Sequence, residues 1–161
     1  MRIKVSNLIK KDKGFTLIEI VLVLAIAGLL LVIVFLAVSG AQKSRRDSQR
    51  KNDVSTVAAQ LENFASNNNG NYPGAPGVPT SFTAFATAYK LDDTTGNLKD
   101  PLSGNVYTFG TGITPTVPNG TTSAGVSYQF GQDCTGAAAG NRAYAVYIGL
   151  EQGVKNCRTN K

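Results

Sequence analysis

The chain has 161 residues, 16 Lys/Arg against 10 Asp/Glu, a formal net charge of +6 and no histidine. That length holds one domain with accessories, and the missing histidine excludes histidine acid/base chemistry, a histidine triad or a histidine zinc site within this chain. Nor does the basic balance point to nucleic acid, because residues 1–14 carry five Lys/Arg and one Asp, +4 of the total, leaving +2 from Phe15 onward.

Residues 1–13 form a basic leader with Arg2, Lys4, Lys10, Lys11 and Lys13. Then comes "GFTLIEIVLVLAIAGLLLVI", where Glu19 is the one charged side chain ahead of 19 consecutive apolar or Gly residues, Ile20–Val38. As a helix this run covers about 30 Å, one hydrocarbon thickness. It lacks the polar face that a core helix of a water-soluble protein shows. A secretory signal peptide is the competing reading, with Ala37-Val38-Ser39 as its cleavage site. The run exceeds the ~7–15 residues of a signal core, and Glu19 would serve no purpose in a discarded segment, so a retained membrane helix is expected. Orientation by positive charge is a tie, since Lys43, Arg45, Arg46, Arg50 and Lys51 balance the leader.

Past the apolar run, Val54, Val57, Ala58, Leu61, Phe64 and Ala65 recur at helical spacing on one face. No proline occurs from Phe15 to Asn71, so one helix from about Thr16 to about Ser66 is predicted, roughly 75 Å long. Ser39-Gly40 is its soft point. Asn67-Asn68-Asn69-Gly70 and Pro73 stop it. The basic cluster is expected to satisfy itself locally, through Lys43–Asp47 and Asp47–Lys51 at i,i+4 and Arg50–Asp53 at i,i+3. Direct DNA binding is therefore not expected, because phosphates need an exposed unpaired stripe.

The remainder reads as a small α+β head. Ser81–Leu91 predicts a short helix. Val106–Phe109, Val126–Phe130 and Ala143–Leu150 read as strands, with turn-rich text between them. Gly110–Gly125 is expected to be a surface loop, and Asp92, Asp93 and Asp133 to be turn and cap residues. Apart from Phe15, Phe35 and Phe64, every aromatic lies after Asn71, enough to cover the helix stripe with one face of an antiparallel sheet. Cys134 and Cys157 are an even pair in a loop-rich region. That favours one disulfide and an oxidising compartment, with the leader then cytoplasmic; two free cysteines are the bland alternative. A bridge closing such a loop is worth about 3 kcal/mol on the chain-entropy view. Gly-rich text such as "GTGITP" lacks the strand-then-helix setting of a phosphate loop. No enzyme, cofactor or metal site is expected.

Lys13-Gly14-Phe15-Thr16-Leu17-Ile18-Glu19 resembles the N-terminal motif of type IV pilins and of the related pseudopilins of type II secretion. The family pattern is a basic leader, a Gly, an aromatic start and a Glu at the fifth mature position. The resemblance extends to Tyr72-Pro73; the head resembles the family only in architecture, as a sheet, a variable loop and a C-terminal disulfide. It implies a leader (1–14), a membrane and filament-core half-helix (15–41), an amphipathic half-helix (42–66) and a head (67–161). It further implies cleavage between Gly14 and Phe15 by a prepilin peptidase, N-methylation of Phe15, and polymerisation into a helical filament by inner-membrane assembly machinery. The subunit would begin as a single-pass protein of the cytoplasmic membrane and end in a surface filament. Glu19 then has a purpose. A carboxylate in a membrane segment costs a few kcal/mol, while unit charges 4 Å apart gain about 4 kcal/mol at an effective dielectric of 20. Pairing Glu19 with the Phe15 amine of a neighbour offsets the cost and fixes axial register. A monomeric membrane-anchored binding module is the alternative of another class. Two departures stand out. The apolar helix lacks the proline many pilins carry. In "LKDPLSGNVY" the stretch resembling the major type II pseudopilin also lacks the expected aromatic and second proline, which puts a calcium site at Asp100 in doubt.

Overall fold

The computed structural model describes residues 14–92, 98–112, 114–116, 118–119 and 122–161. The leader through Lys13, Asp93 and parts of the Gly110–Gly125 loop lie outside the described residues. The chain divides into two compact units, Met1–Gly40 and Ala41–Lys161, and the first helix, α1 (Leu17–Asn67), contributes to both.

In the first unit α1 is helical without a break from Leu17, as the absence of proline allows. Every side chain from Leu17 to Val38 is exposed. Among the described residues, α1 holds the one stretch long and apolar enough to cross a membrane.

In the second unit α1 becomes one-sided. Val54, Val57, Leu61, Phe64 and Ala65 are buried, as their spacing predicts. The helix ends where the asparagines do. Asn68 donates its side-chain amide to the Phe64 carbonyl at 2.8 Å. Asn69 and Gly70 take left-handed φ of 55° and 78°, which lets the Gly70 N–H close on the Ala65 carbonyl at 2.7 Å. The second helix, α2 (Phe82–Ala88), is shorter than predicted. Ser81 caps its start by accepting the Ala84 N–H at 3.1 Å, and Lys90, at φ 54°, turns the chain out of it.

Four strands follow in the spatial order of the chain: β1 (Thr108–Thr111), β2 (Gly125–Phe130), β3 (Tyr144–Gly149) and β4 (Lys155–Thr159). The fold is the expected α+β, a long helix on a small sheet. The sheet is mixed and not wholly antiparallel: β1 runs parallel to β2, while β2–β3 and β3–β4 are antiparallel. A parallel pair needs a crossover of about a dozen residues or more, and residues 112–124 supply it. The segment is a loop whose described residues divide between surface and interior: Thr114, Thr116, Asn119 and Thr122 are exposed, as expected of it, while Pro115, Pro118, Ser123 and Ala124 are buried. It passes so close to β2 that a Cβ on Gly125 would lie 2.7 Å from the Thr116 backbone nitrogen. The first strand also begins two residues later than predicted, because Val106 bridges to Lys99 instead.

The core lies between α1, α2 and one face of the sheet. Tyr128, Tyr144, Val146 and Ile148 pack with Leu61, Phe64, Phe82 and Phe85, and Phe82 stacks on Tyr128 at 4.5 Å. All of β3 is buried, so the opposite sheet face is covered too. The disulfide Cys134–Cys157 helps to cover it: Cys157 pairs across from Tyr147, whose hydroxyl donates to the Asp133 carbonyl at 3.1 Å.

Candidate functional site

The residues that carry the chemistry of the N-terminal segment sit at the head of α1. Gly14, Phe15 and Thr16 precede the helix in non-helical backbone and are exposed. The Gly14–Phe15 peptide bond is therefore outside the helix, and Gly14 has open space where a Cβ would stand. Thr16 caps α1: its hydroxyl accepts the Glu19 N–H at 3.3 Å and its carbonyl accepts the Ile20 N–H at 3.3 Å. Glu19 thus occupies the third helical position of a Thr-x-x-Glu capping pattern. A carboxylate in the first turn faces the unpaired N–H groups and the positive end of the helix dipole, worth about 0.3–1 kcal/mol. That is well short of the cost of immersing a charge in lipid, so the cap explains where Glu19 is tolerated but not why it is carried. Sequence reasoning missed Thr16, although the Thr-x-x-Glu spacing was there to find it.

A second polar constellation lies in the head unit. Arg50 is fully buried, and its guanidinium donates to Asp100 Oδ1 at 2.8 and 2.6 Å, to Asp47 Oδ1 at 2.7 Å and to Glu151 Oε1 at 3.0 Å. Arg46 forks onto the same Glu151, reaching Oε2 at 2.8 Å, and Glu151 returns its backbone N–H to Asp47 Oδ1 at 3.1 Å. Asp100 is fully buried and also accepts the Ser103 hydroxyl at 3.1 Å. The Arg46 hydrogen bond, aided by Arg50, outweighs burial and holds the Glu151 carboxyl down at about 2. Around Arg50, burial opposes the charge but the three carboxylates raise its pKa nonetheless. Burial raises the neighbouring Asp53 even though the Tyr107 hydroxyl donates to it at 2.6 Å.

This corrects the expected pattern of local ion pairs. Asp47 does pair within the helix, but with Arg50. Lys43 and Lys51 are exposed and take no part in it, and Asp53 turns to Tyr107. Asp100 and Glu151, which no helical spacing rule links to the cluster, become the partners that bind α1 to the head. Asp100 spends its carboxylate on Arg50 and Ser103. Asp92 and Asp133 behave as turn residues. Asp92 accepts the Thr87 hydroxyl at 2.7 Å, and Asp133 Oδ1 accepts the backbone N–H and hydroxyl of Thr135 and the Ala137 N–H. Cys134 and Cys157 are joined as the sequence favours.

A family model, the prokaryotic N-terminal methylation motif, matches residues 9–35. The chain therefore carries the type IV prepilin-like signature, and the match covers the leader's end, Gly14, Phe15, Glu19 and most of the apolar run. Among characterised proteins and among solved structures, no significant match is found.

Proposed function

We propose that the chain is a type IV pilin: a membrane-anchored precursor cut between Gly14 and Phe15 by a prepilin peptidase, N-methylated at Phe15, and polymerised with copies of itself into a surface filament. The observation that carries this reading is the methylation motif placed on a helix whose side chains from Leu17 to Val38 are all exposed, with one carboxylate, Glu19, in its first turn. A processed chain begins at Phe15 and exposes an amine with a reference pKa near 8, cationic at neutral pH. In a filament, Glu19 pairs with the amine of the neighbouring protomer, and a misregistered subunit leaves both charges unpaired in an apolar core. The division into leader 1–14, filament-core half-helix 15–41, amphipathic half-helix 42–66 and head 67–161 follows from this sequence of events.

The second reading within the same signature is a pseudopilin of a type II secretion system. Two observations favour the pilin: the disulfide Cys134–Cys157, and the commitment of Asp100 to Arg50 in the stretch where the pseudopilin resemblance lies. Mass spectrometry of sheared surface filaments tests the proposal. The expected species starts at methylated Phe15 and is abundant. Gly14→Val should leave the leader attached, raising the subunit mass by the uncut segment. A chain found only as an uncut, dispersed membrane protein would instead be an anchored binding module.

A further inference from the structure

We propose that Lys43 and Arg45 form a collar that binds the phosphate groups of anionic lipids where the apolar run of α1 ends; this rests on the membrane-anchor reading above. Four basic residues fall between Lys43 and Arg50, and the head consumes two of them. Arg46 is held by Glu151, and Arg50 by Asp47, Asp100 and Glu151. Lys43 and Arg45 are exposed and take part in no ion pair among the described residues.

Their placement around the helix identifies the partner. At 3.6 residues per turn, positions two apart point about 200° from one another. Lys43 and Arg45 therefore project from opposite sides of α1. A nucleic acid would need the charges along one stripe. A membrane surface surrounds a helix that crosses it, and charges on opposite sides both meet head groups. Depth agrees. Leu17–Val38 spans about 33 Å, and Lys43 and Arg45 lie about 7 and 10 Å further along the helix. Long basic side chains lean back along apolar surface to bring their heads to such a boundary. Lys51 is exposed as well, but it lies about 20 Å past Val38, beyond a Debye length of about 8–10 Å. It is the built-in control.

Each basic residue at an anionic surface contributes about 1 kcal/mol, a factor of about five. The full-length chain is placed in mixed micelles holding equal amounts of phosphatidylcholine and phosphatidylglycerol, and retained lipid is counted by native mass spectrometry. Phosphatidylglycerol should be retained preferentially. That preference should fall about fivefold per charge removed in Lys43→Gln and Arg45→Gln and stay unchanged in Lys51→Gln, with the leader identical throughout. Glycerol 3-phosphate and a DNA duplex are added separately as competitors, and neither should displace the lipid. The proposal is overturned if the double variant keeps the preference or if Lys51→Gln loses as much. It is also overturned if glycerol phosphate displaces the lipid, or if duplex DNA binds and is lost in the double variant while lipid selectivity survives. Flotation with vesicles separates the two levels of failure. A chain that floats with neither lipid sinks the anchor reading along with the collar, whereas one that floats with both and shows no preference sinks the collar alone.

Discussion

The two stretches of α1 solve the burial problem differently. From Val38 back to Ile20 the helix is apolar on every side and exposed on every side. From Ala41 onward it is apolar on one stripe, and its own head covers that stripe: Val54, Val57 and Leu61 are nearly or wholly inaccessible. A water-facing apolar surface of the first kind is not a stable resting state. The second stretch finds its partner within the chain; on the function proposed above, the first finds its own in lipid and then in other subunits. Polar residues follow the same division. Arg50 has every partner it needs in the head, whereas Glu19 has a backbone cap and no countercharge among the described residues.

Breaking the head's internal partnership should give the largest effect on folding. Arg50→Ala leaves Asp47, Asp100 and Glu151 facing one another in a buried site, and removing one partner of a buried ion pair costs about 3–5 kcal/mol. Thermal unfolding of the head should show a large loss, with the apolar half of α1 unaffected as judged by its insertion in detergent. Next is acid. Glu151 is held at about 2 in the fold, below an ordinary glutamate near 4.3. A depressed acid stabilises the fold above its unfolded pKa, and this contribution disappears as pH falls from the ordinary range toward 2. Stability should therefore drop by up to about 3 kcal/mol over that window. Asp53, raised by burial, works in the opposite sense and trims the drop. Glu151→Gln should flatten the profile in a pH series of unfolding midpoints. The smallest effect should come from the cap. Thr16→Val removes a helix cap worth about 1 kcal/mol and frays the turn that carries Glu19. Filament yield per subunit should fall several-fold, while Thr16→Ser, which still accepts the Glu19 N–H, should restore it.

What the sequence made legible tracks how local each feature is. The continuity of α1, its asparagine-rich stop and its buried stripe all follow from spacing, absent proline and left-handed residues within a few positions of one another. Of the three expected strands, Val126–Phe130 announced itself by alternation and Ala143–Leu150 by a continuous apolar run, with turn-rich text around all three. β4 did not, because Lys155-Asn156-Cys157-Arg158-Thr159 is an edge strand held by pairing with β3 and by the disulfide, with no aliphatic signature of its own. The parallel β1–β2 pair was equally silent, since a proline-bearing crossover with no strand or helix of its own reads as an ordinary loop. The charged cluster was misread for the same reason. Helical i,i+3 and i,i+4 rules see Asp47, but not Asp100 or Glu151, which are remote in sequence and arrive only with the tertiary fold. At the N-terminal segment the reverse holds: the motif is wholly local, and the Thr16 cap was overlooked in plain text.

The most direct test separates the two stretches with one substitution. Glu19→Ala should leave the unfolding midpoint of the head unchanged and the Gly14–Phe15 bond still cut, yet reduce surface filaments, counted against total subunit, by tenfold or more, as expected from losing roughly 2 kcal/mol or more of pairing. Filaments at wild-type yield from that variant, or a head that melts earlier because of it, would contradict the division of the helix into an inward-partnered and an outward-partnered part.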